Sequence, residues 1–295
     1  MSEIFGVSAA LLTPFESGGA IAHKLMAQHA IHVLDNGCSS VTLFGTTGEG
    51  ASLELSERIK AVSALQDAGI DPAQIILSIK ADAIGDAIKE LQAGIDMRCN
   101  SFLLAPPHFF KQVSDEGLYA WFSAILEKFS KHELKIILYN IPQLTGVTIS
   151  PTLAARLFSQ FPSHIYGVKD SSGDWSSAKE FLTLKDDLAI LIGDERFLAS
   201  GSKLGAQGCI SGLANFFGVE LLDIIKSGTP NKTVSDLVDI VVSAPIVPAI
   251  KQIAANIFED QRWLNVRPPL TGLTDCEQER LLFSYNEIFA HKVRA

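Results

Sequence analysis

The stretch GVKDSSGD, residues 167–174, sets a lysine at the end of a short apolar run and directly before small polar residues. The run, Ile165 to Val168, is typical of a buried β-strand. Lysine is among the residues least often buried unless its charge is paired or suppressed. Two explanations of Lys169 are therefore open: a structural lysine that reaches solvent or pairs with Asp170, and an amine kept for chemistry.

Short apolar runs rich in Val, Ile and Leu recur along the chain, with amphipathic segments between them. This alternation is the signature of a parallel sheet with crossover helices. Two of the helices have start signals, Ser114 before acidic residues and Ser150 before Pro151. The eight runs are Val7 to Leu12, Ser40 to Phe44, Ile75 to Ile79, Ser101 to Leu104, Lys135 to Tyr139, Ile165 to Val168, Ala189 to Ile192 and Cys209 to Ser211. The helical segments include Leu53 to Gln66, Ala83 to Ala93, Asp115 to Lys128 and Pro151 to Phe158.

Eight strand-helix units in somewhat over two hundred residues predict an α/β protein with a closed (β/α)8 TIM barrel. We expect the barrel to occupy residues 1–220 and a C-terminal helical extension, residues 221–295, to pack on it. An open doubly wound sheet would use the same elements. No Gly-rich dinucleotide fingerprint follows any of the runs, which disfavours that alternative.

The charge and the N-terminal sequence argue against two classes of protein. A net charge of −9, from 33 acidic and 24 basic residues, argues against a nucleic acid partner, which needs a clustered basic face. No basic region precedes the first apolar stretch, and Pro14 interrupts that stretch far short of a membrane span. We expect a cytoplasmic protein that contacts no membrane.

Cysteine and histidine spacing predicts no metal site. His29 and His32 share one face of a predicted helix, but no Cys, Asp or Glu completes a ligand set, so we expect both to be solvated. The four cysteines have no CxxC pair, which indicates free thiols. They are Cys38, Cys99, Cys209 and Cys276.

In a barrel of this kind, catalytic side chains gather at the carboxyl ends of the strands. Lys80 and Lys169 each follow a strand, and a partly dry mouth favours the neutral, nucleophilic amine that Schiff-base chemistry with a ketone requires. Tyr139 ends a neighbouring strand, where its phenol can move a proton to or from an imine. Gly193-Asp194-Glu195 and Ser211 end the last two strands.

The loop GTTGEG, residues 45–50, follows the second strand. Its glycines let the backbone approach a ligand closely. The hydroxyls of Thr46 and Thr47, with free backbone N–H groups around Gly48, suit a carboxylate. An ordinary Gly-containing loop would show the same pattern, so this motif alone is a weak signal.

Three ordered motifs, GTTGE after the second strand, YNIP after the fifth and GVKDSSGD after the sixth, together resemble the N-acetylneuraminate lyase and dihydrodipicolinate synthase family. The similarity extends from TPF near the start to VRPPL near the end. It implies a (β/α)8 barrel, commonly a homotetramer. It also implies that the enzyme uses no metal or external cofactor and binds pyruvate or another 2-oxo acid as a Schiff base on lysine.

By this resemblance Lys169 is the nucleophile, Lys80 is the weaker candidate, and Tyr139 is the general acid and base. Thr46 and Thr47 match residues that hold the 2-oxo acid carboxylate, and Thr47 also matches a hydroxyl that relays protons to the tyrosine. Further candidates for substrate binding are Gly48, Gly193, Asp194, Glu195 and Ser211, of which the Gly-Asp-Glu stretch resembles the part of sialic acid lyases that binds a hydroxylated sugar tail.

Two departures from the family pattern concern substrate choice. Phe110, in HFFKQ, stands where dihydrodipicolinate synthases carry a second relay tyrosine lent by a neighbouring subunit. Leu144, in YNIPQLTG, stands where they carry an arginine that grips the carboxylate of the aldehyde substrate. The chain also has GTT and GVKDS where sialic acid lyases have GST and GVKQT.

The leading hypothesis is a lyase, a class I aldolase that forms a Schiff base between Lys169 and a 2-oxo acid and acts on a sugar acid or an aldehyde. Dihydrodipicolinate synthase, which condenses pyruvate with aspartate semialdehyde, is the main alternative. A deoxy sugar acid dehydratase and a non-catalytic barrel that binds a 2-oxo acid are also open.

Overall fold

Eight parallel strands close into a barrel in the computed structural model, which describes residues 4–290. Each strand pairs with its neighbours in chain order, and the first strand closes the ring against the last, with Val7 opposite Cys209. The predicted barrel is confirmed, and the open sheet is excluded because an open sheet leaves two strand edges unpaired. The strands are β1 Gly6–Ala10, β2 Ser40–Leu43, β3 Ile75–Ile79, β4 Ser101–Leu104, β5 Lys135–Asn140, β6 Ile165–Asp170, β7 Ala189–Ile192 and β8 Gly208–Ser211.

Helices follow the strands and cover the outside of the barrel. They are α1 His23–Asp35, α2 Leu55–Asp67, α3 Ile84–Asp96, α4 Asp115–Leu126, α5 Pro142–Thr145, α6 Pro151–Gln160, α7 Trp175–Leu182, α8 Leu198–Lys203, α9 Gly218–Ser227, α10 Lys232–Val242, α11 Ile246–Phe258 and α12 Asp275–Ala290. Both predicted N-caps are confirmed: the Ser114 hydroxyl accepts from the backbone N–H of Gly117 at 3.2 Å, and that of Ser150 from Leu153 at 3.0 Å.

The strands are buried on both faces, which explains their nearly continuous apolar runs. One face of each strand packs against the helices, and the other fills the inside of the barrel. The residues that pack together inside the barrel are Ala10, Ile76, Leu103, Ala105, Ile137, Tyr139, Ile141, Ala189, Leu191 and Ile210. Because side chains alternate along a strand, this set fixes which residues at the strand ends point into the mouth.

The C-terminal helices pack on the barrel near its N-terminal helix. Trp263 is fully buried, and its ring lies 4.9 Å from that of His29 on α1. Helix α9 runs across residue 220, and the division of the chain at that position stays a prediction. No helix within residues 4–290 is both long and apolar enough to cross a membrane.

The expectation that His29 is solvated is wrong. Its side chain is buried, and its Nε2 lies 2.8 Å from Oδ1 of Asn215. Burial lowers the pKa of His29 to about 4, so the imidazole is neutral at pH 7. His32 is exposed as expected, and all four cysteines are free thiols.

Candidate active site

Lys169 points into the mouth of the barrel from the end of β6. It pairs in register with Tyr139 on β5 and Leu191 on β7, both of which belong to the inner layer. Its side chain is only 6% exposed, and its Nζ lies 4.5 Å from the centre of the Tyr139 ring. Among residues 4–290, no carboxylate lies within 4 Å of this amine. A buried lysine without a carboxylate is unusual, and it favours chemistry over structure.

Asp170 faces the opposite way, because neighbouring residues of a strand alternate between faces. Its Oδ1 accepts from the Asn140 amide at 2.8 Å, and its Oδ2 accepts from the Ser172 hydroxyl at 3.0 Å. Burial raises the pKa of Asp170, and these hydrogen bonds oppose the rise. The structural alternative, a Lys169–Asp170 ion pair, is therefore wrong. Asp170 instead fastens the end of β6 to β5 and to the loop that follows.

Tyr139 lies beside Lys169 at the same level of the barrel, and 3% of it is exposed. Its hydroxyl lies 3.4 Å from Oγ1 of Thr46. The sequence predicts that Thr47 supplies this contact, but Thr47 Oγ1 turns toward β8, where it would lie 3.5 Å from a Cβ on Gly212. The hydroxyl within reach of the phenol is therefore that of Thr46.

The GTTGEG loop folds back tightly over the end of β2. Phe44 and Glu49 both have left-handed backbone conformations, with φ of 61° and 53°. Side chains seldom adopt such angles, and they persist where the surroundings impose them. A Cβ on Gly50 would lie 1.8 Å from the Phe44 carbonyl oxygen, so only glycine fits there. This fold turns Thr46 toward Tyr139.

A buried ion pair holds this loop to the C-terminal part of the chain. Glu49 pairs with Lys251 on α11, and both side chains are fully buried. The other Glu49 oxygen accepts from the backbone N–H of Arg267 at 2.8 Å, and Lys251 donates to the Asn265 carbonyl at 2.6 Å. The Arg267 guanidinium in turn binds Glu57 on α2, at 2.6 and 2.8 Å. Sequence reasoning missed this network; the only signal was the charged residue in the VRPPL break.

Two carboxylates with different neighbours, Asp194 and Glu195, follow the end of β7. Both Asp194 oxygens accept from Arg196, at 3.0 and 2.7 Å, so this predicted contact for a substrate is occupied by a guanidinium. Glu195 accepts from the Ser211 hydroxyl, and burial raises its pKa. A Cβ on Gly193 would lie 2.1 Å from the Ser171 hydroxyl oxygen and 2.7 Å from the Asp170 carbonyl oxygen, so glycine fits best at this position.

The chain is similar to known proteins over nearly its whole length. Residues 3–284 match the Dihydrodipicolinate synthetase family. The chain belongs to this family. It is 30% identical to an uncharacterized DapA-like lyase of Chloroflexus aurantiacus, over 98% of this chain and 99% of the relative. It is 31% identical to the 4-hydroxy-tetrahydrodipicolinate synthase of Synechococcus elongatus, over 75% and 73%.

Solved structures show the same fold. A dihydrodipicolinate synthase from Agrobacterium tumefaciens superposes with a TM-score of 0.94 at 43% identity, over 97% of this chain and 99% of that one. A protein titled CdNal from Clostridium difficile, in complex with mannosamine, superposes with a TM-score of 0.84 at 21% identity, over 98% and 100%, which supports the fold alone. Family membership makes the chain a lyase of the pyruvate-type aldolase class, as the sequence predicts.

Phe110 and Leu144 lie at the rim of the mouth and face solvent, with 75% and 59% exposed. The loop that carries Phe110 is anchored at both ends. Asp82 accepts from the backbone N–H of Phe109 at 2.8 Å, and the Lys111 ammonium donates to the Thr145 carbonyl at 2.7 Å. The rim between β4 and β5 is therefore apolar where the family pattern predicts a phenol and a guanidinium.

Lys80 is the second amine of the mouth. It is half-buried at the end of β3, and burial together with the charge of Arg58 lowers its pKa to about 7. Near pH 7 about half of such amines are neutral, so an experiment that assigns the nucleophile must distinguish Lys80 from Lys169.

Proposed function

We propose that the enzyme binds pyruvate or a longer 2-oxo acid as an imine on Lys169 and then makes or breaks a carbon–carbon bond next to it. The observation that carries this proposal is the Lys169 amine, which is buried, faces the Tyr139 ring and has no carboxylate partner among residues 4–290. A binding protein has no need of such an amine.

The reaction begins when the neutral amine adds to the C2 carbonyl of the 2-oxo acid. Tyr139 gives a proton to the oxygen, water leaves, and the imine remains. Loss of a C3 proton then gives an enamine, whose electrons attack the aldehyde carbon while a proton is transferred to the aldehyde oxygen. Water then hydrolyses the product imine, which releases the product and restores the Lys169 amine. Cleavage follows the same steps in reverse. Tyr139 lies close enough to serve each proton transfer, and Thr46 is positioned to exchange protons with it.

The 2-oxo acid carboxylate fits the GTTGEG loop, where hydroxyl and backbone donors face the mouth. A carboxylate bound there would lie next to Tyr139, which would place C2 of the 2-oxo acid near Lys169. At the ends of β7 and β8, Glu195 and Ser211 form a hydrogen-bonded pair that suits the hydroxyl groups of a sugar acid. We therefore favour an aldolase with a polyhydroxy acid or an aldehyde as the second substrate. A dehydratase would use the same imine and differ only in the leaving group.

A dihydrodipicolinate synthase is the second candidate. It is favoured by the 43% identity with the Agrobacterium tumefaciens protein over nearly the whole of both chains. The solvent-exposed apolar side chains of Phe110 and Leu144 weigh against it, because a leucine cannot hold the carboxylate of aspartate semialdehyde as an arginine does.

Borohydride reduction in the presence of pyruvate tests the imine. We expect intact-mass analysis to show one pyruvate-derived adduct and peptide mapping to place it on Lys169. Lys169→Ala should lose the adduct, and Lys80→Met should retain it. An adduct on Lys80 would move the nucleophile to β3. Tight pyruvate binding without any adduct would support the non-catalytic barrel instead.

A further inference from the structure

The inner face of β3 has two polar groups that the mechanism does not use. Ser78 is 1% exposed, and its hydroxyl is buried with no hydrogen-bond partner among residues 4–290. Lys80 follows two residues later, nearer the opening. Buried polar groups are normally paired, so the unpaired Ser78 hydroxyl indicates a ligand or water at that position, and the half-buried Lys80 amine lies beside it.

The strand alternation points Lys80 into the mouth. Ile79 and Ala81, on either side of it, pack in the outer layer with the helices, whereas Ile76 packs inside the barrel. The ladder joins Ile79, Leu104, Leu138 and Val168 across four strands. The next residue on each strand is therefore at one level of the mouth, and these residues are Lys80, Ala105, Tyr139 and Lys169.

Lys80 is a cation without a carboxylate partner. The nearby carboxylate, Glu90, is already paired with Arg58 at 2.8 Å, and Arg58 also donates to the Gly50 carbonyl at 2.7 Å. No carboxylate lies within 4 Å of Lys80 Nζ in the described part of the chain. The other cation on this side, Lys111, donates to backbone carbonyls of the rim. Lys80 is therefore available to bind an anion that enters the mouth.

We propose that Lys80, with the Ser78 hydroxyl below it, binds the carboxylate of an acidic second substrate, across the mouth from the imine on Lys169. This inference rests on the proposed function, because the second substrate is defined by its reaction with that imine. Strands β3 and β6 are three positions apart in the eight-stranded ring, so a short acyclic acid can lie between the two amines. The proposal also explains why a leucine can stand at residue 144, where the family pattern has an arginine, because Lys80 after β3 supplies the cation instead.

The test uses enzyme in which pyruvate has been fixed on Lys169 by borohydride, so that only the second subsite is open. Calorimetry compares 4-hydroxybutanoate with 1,4-butanediol, two unreactive molecules of equal length that differ in one carboxylate. We expect wild-type enzyme to prefer the carboxylate by roughly 10-fold to 100-fold, the range for a charge-assisted hydrogen bond. Lys80→Met should abolish the preference, and Lys80→Arg should retain most of it.

Lys135→Met is the matched control, because it removes an exposed lysine at the other end of the barrel and changes the net charge equally. It should leave the preference unchanged. Equal affinity of the two molecules for wild-type enzyme, or a preference that survives Lys80→Met, would overturn the proposal. Failure of the borohydride step would instead refute the imine on Lys169, and the same titrations on untreated enzyme would still decide the role of Lys80.

The pH dependence gives an independent readout. The groups that act on the Lys80 amine are Arg58 on α2, Glu90 on α3 and Lys169 on β6. Since the pKa of Lys80 is lowered to about 7, the amine is protonated below that pH and neutral above it. The preference for 4-hydroxybutanoate should therefore be largest near pH 6 and decline as the pH rises through 7. A preference that is constant from pH 6 to pH 9 would contradict the assignment.

Discussion

Lys169 and Lys251 are both buried lysines, 6% and 0% exposed, but they have very different neighbours. Lys251 pairs with Glu49, donates to the Asn265 carbonyl and lies 4.4 Å from the centre of the Phe15 ring. Within residues 4–290, Lys169 has no ion-pair or hydrogen-bond partner, and its amine lies 4.5 Å from the centre of the Tyr139 ring. The acceptors around Lys251 engage its ammonium, whereas Lys169 keeps its amine free for a ligand.

The difference is consistent with a structural purpose for Lys251 and with the catalytic purpose proposed for Lys169. A lysine ammonium has three N–H donors, and burying it is costly unless acceptors replace the lost water. Lys251 has these acceptors and joins the GTTGEG loop to α11. No such acceptor contacts Lys169 in the described part of the chain, so its burial should lower the stability of the fold, as is common for residues of an active site. Removal of Lys169 should therefore lower activity without a loss of stability, whereas removal of Lys251 should lower stability.

Lys169→Ala is the substitution with the largest expected effect on activity. It removes the proposed nucleophile, so turnover should fall on the order of 10⁴-fold or more, the scale seen when the nucleophile of an enzyme is deleted. The melting temperature should be unchanged or higher, because no ion pair is lost. Steady-state kinetics with thermal unfolding measures both, and a clear loss of stability would show that Lys169 is structural.

Tyr139→Phe keeps the ring beside Lys169 and removes only the hydroxyl. Turnover should fall by about 10²-fold to 10⁴-fold, the usual range for a positioned acid or base. Thr46→Val should also lower turnover, whereas Thr47→Val should leave the proton transfer intact and mainly raise KM for the 2-oxo acid. Near-normal turnover in Tyr139→Phe would remove the phenol from the mechanism.

Lys251→Met tests the structural role of the second buried lysine. It leaves Glu49 buried and unpaired, which should cost about 3 to 5 kcal/mol of the free energy of unfolding. The double variant Glu49→Gln/Lys251→Met removes both charges and should recover most of this loss. Urea denaturation of the three proteins measures the difference. If the single variant were as stable as wild type, the ion pair would not hold the loop.

The strands were predictable because burial on both faces leaves a continuous apolar run, as at Ile75–Ile79. The inward direction of Lys169 could also be foreseen, and it implies that Asp170 points outward. The contact between Glu49 and Arg267 was beyond prediction, since the two are 218 residues apart in sequence. The sequence also does not show whether Thr46 or Thr47 faces Tyr139. That depends on the left-handed backbone conformations of Phe44 and Glu49, which flank the two threonines.

His29 illustrates the same limit in the core. Its helical spacing indicates a polar position, but Asn215 and Trp263 cover it from distant parts of the chain. Local periodicity reports the face of a helix, and it cannot report which remote segment packs on that face. Glu49 and Lys251, which hold the GTTGEG loop, are likewise brought together from distant parts of the chain. The proposed catalytic lysine was therefore easier to predict than the residues that support the site.

The rim substitutions should have the smallest effect, and they separate specificity from the chemistry of Lys169. Phe110→Tyr/Leu144→Arg restores a phenol and a guanidinium where both side chains now face solvent. A carboxylate partner at residue 144 should lower KM for aspartate semialdehyde by roughly 10-fold, as a charge-assisted hydrogen bond does. Imine formation on Lys169 should be unchanged, because neither rim residue contacts the amine. Coupled assays of the condensation, with borohydride trapping as the control, measure the two separately. An unchanged KM would show that the aldehyde carboxylate binds elsewhere in the mouth, and a loss of trapping would show that the rim controls the imine as well.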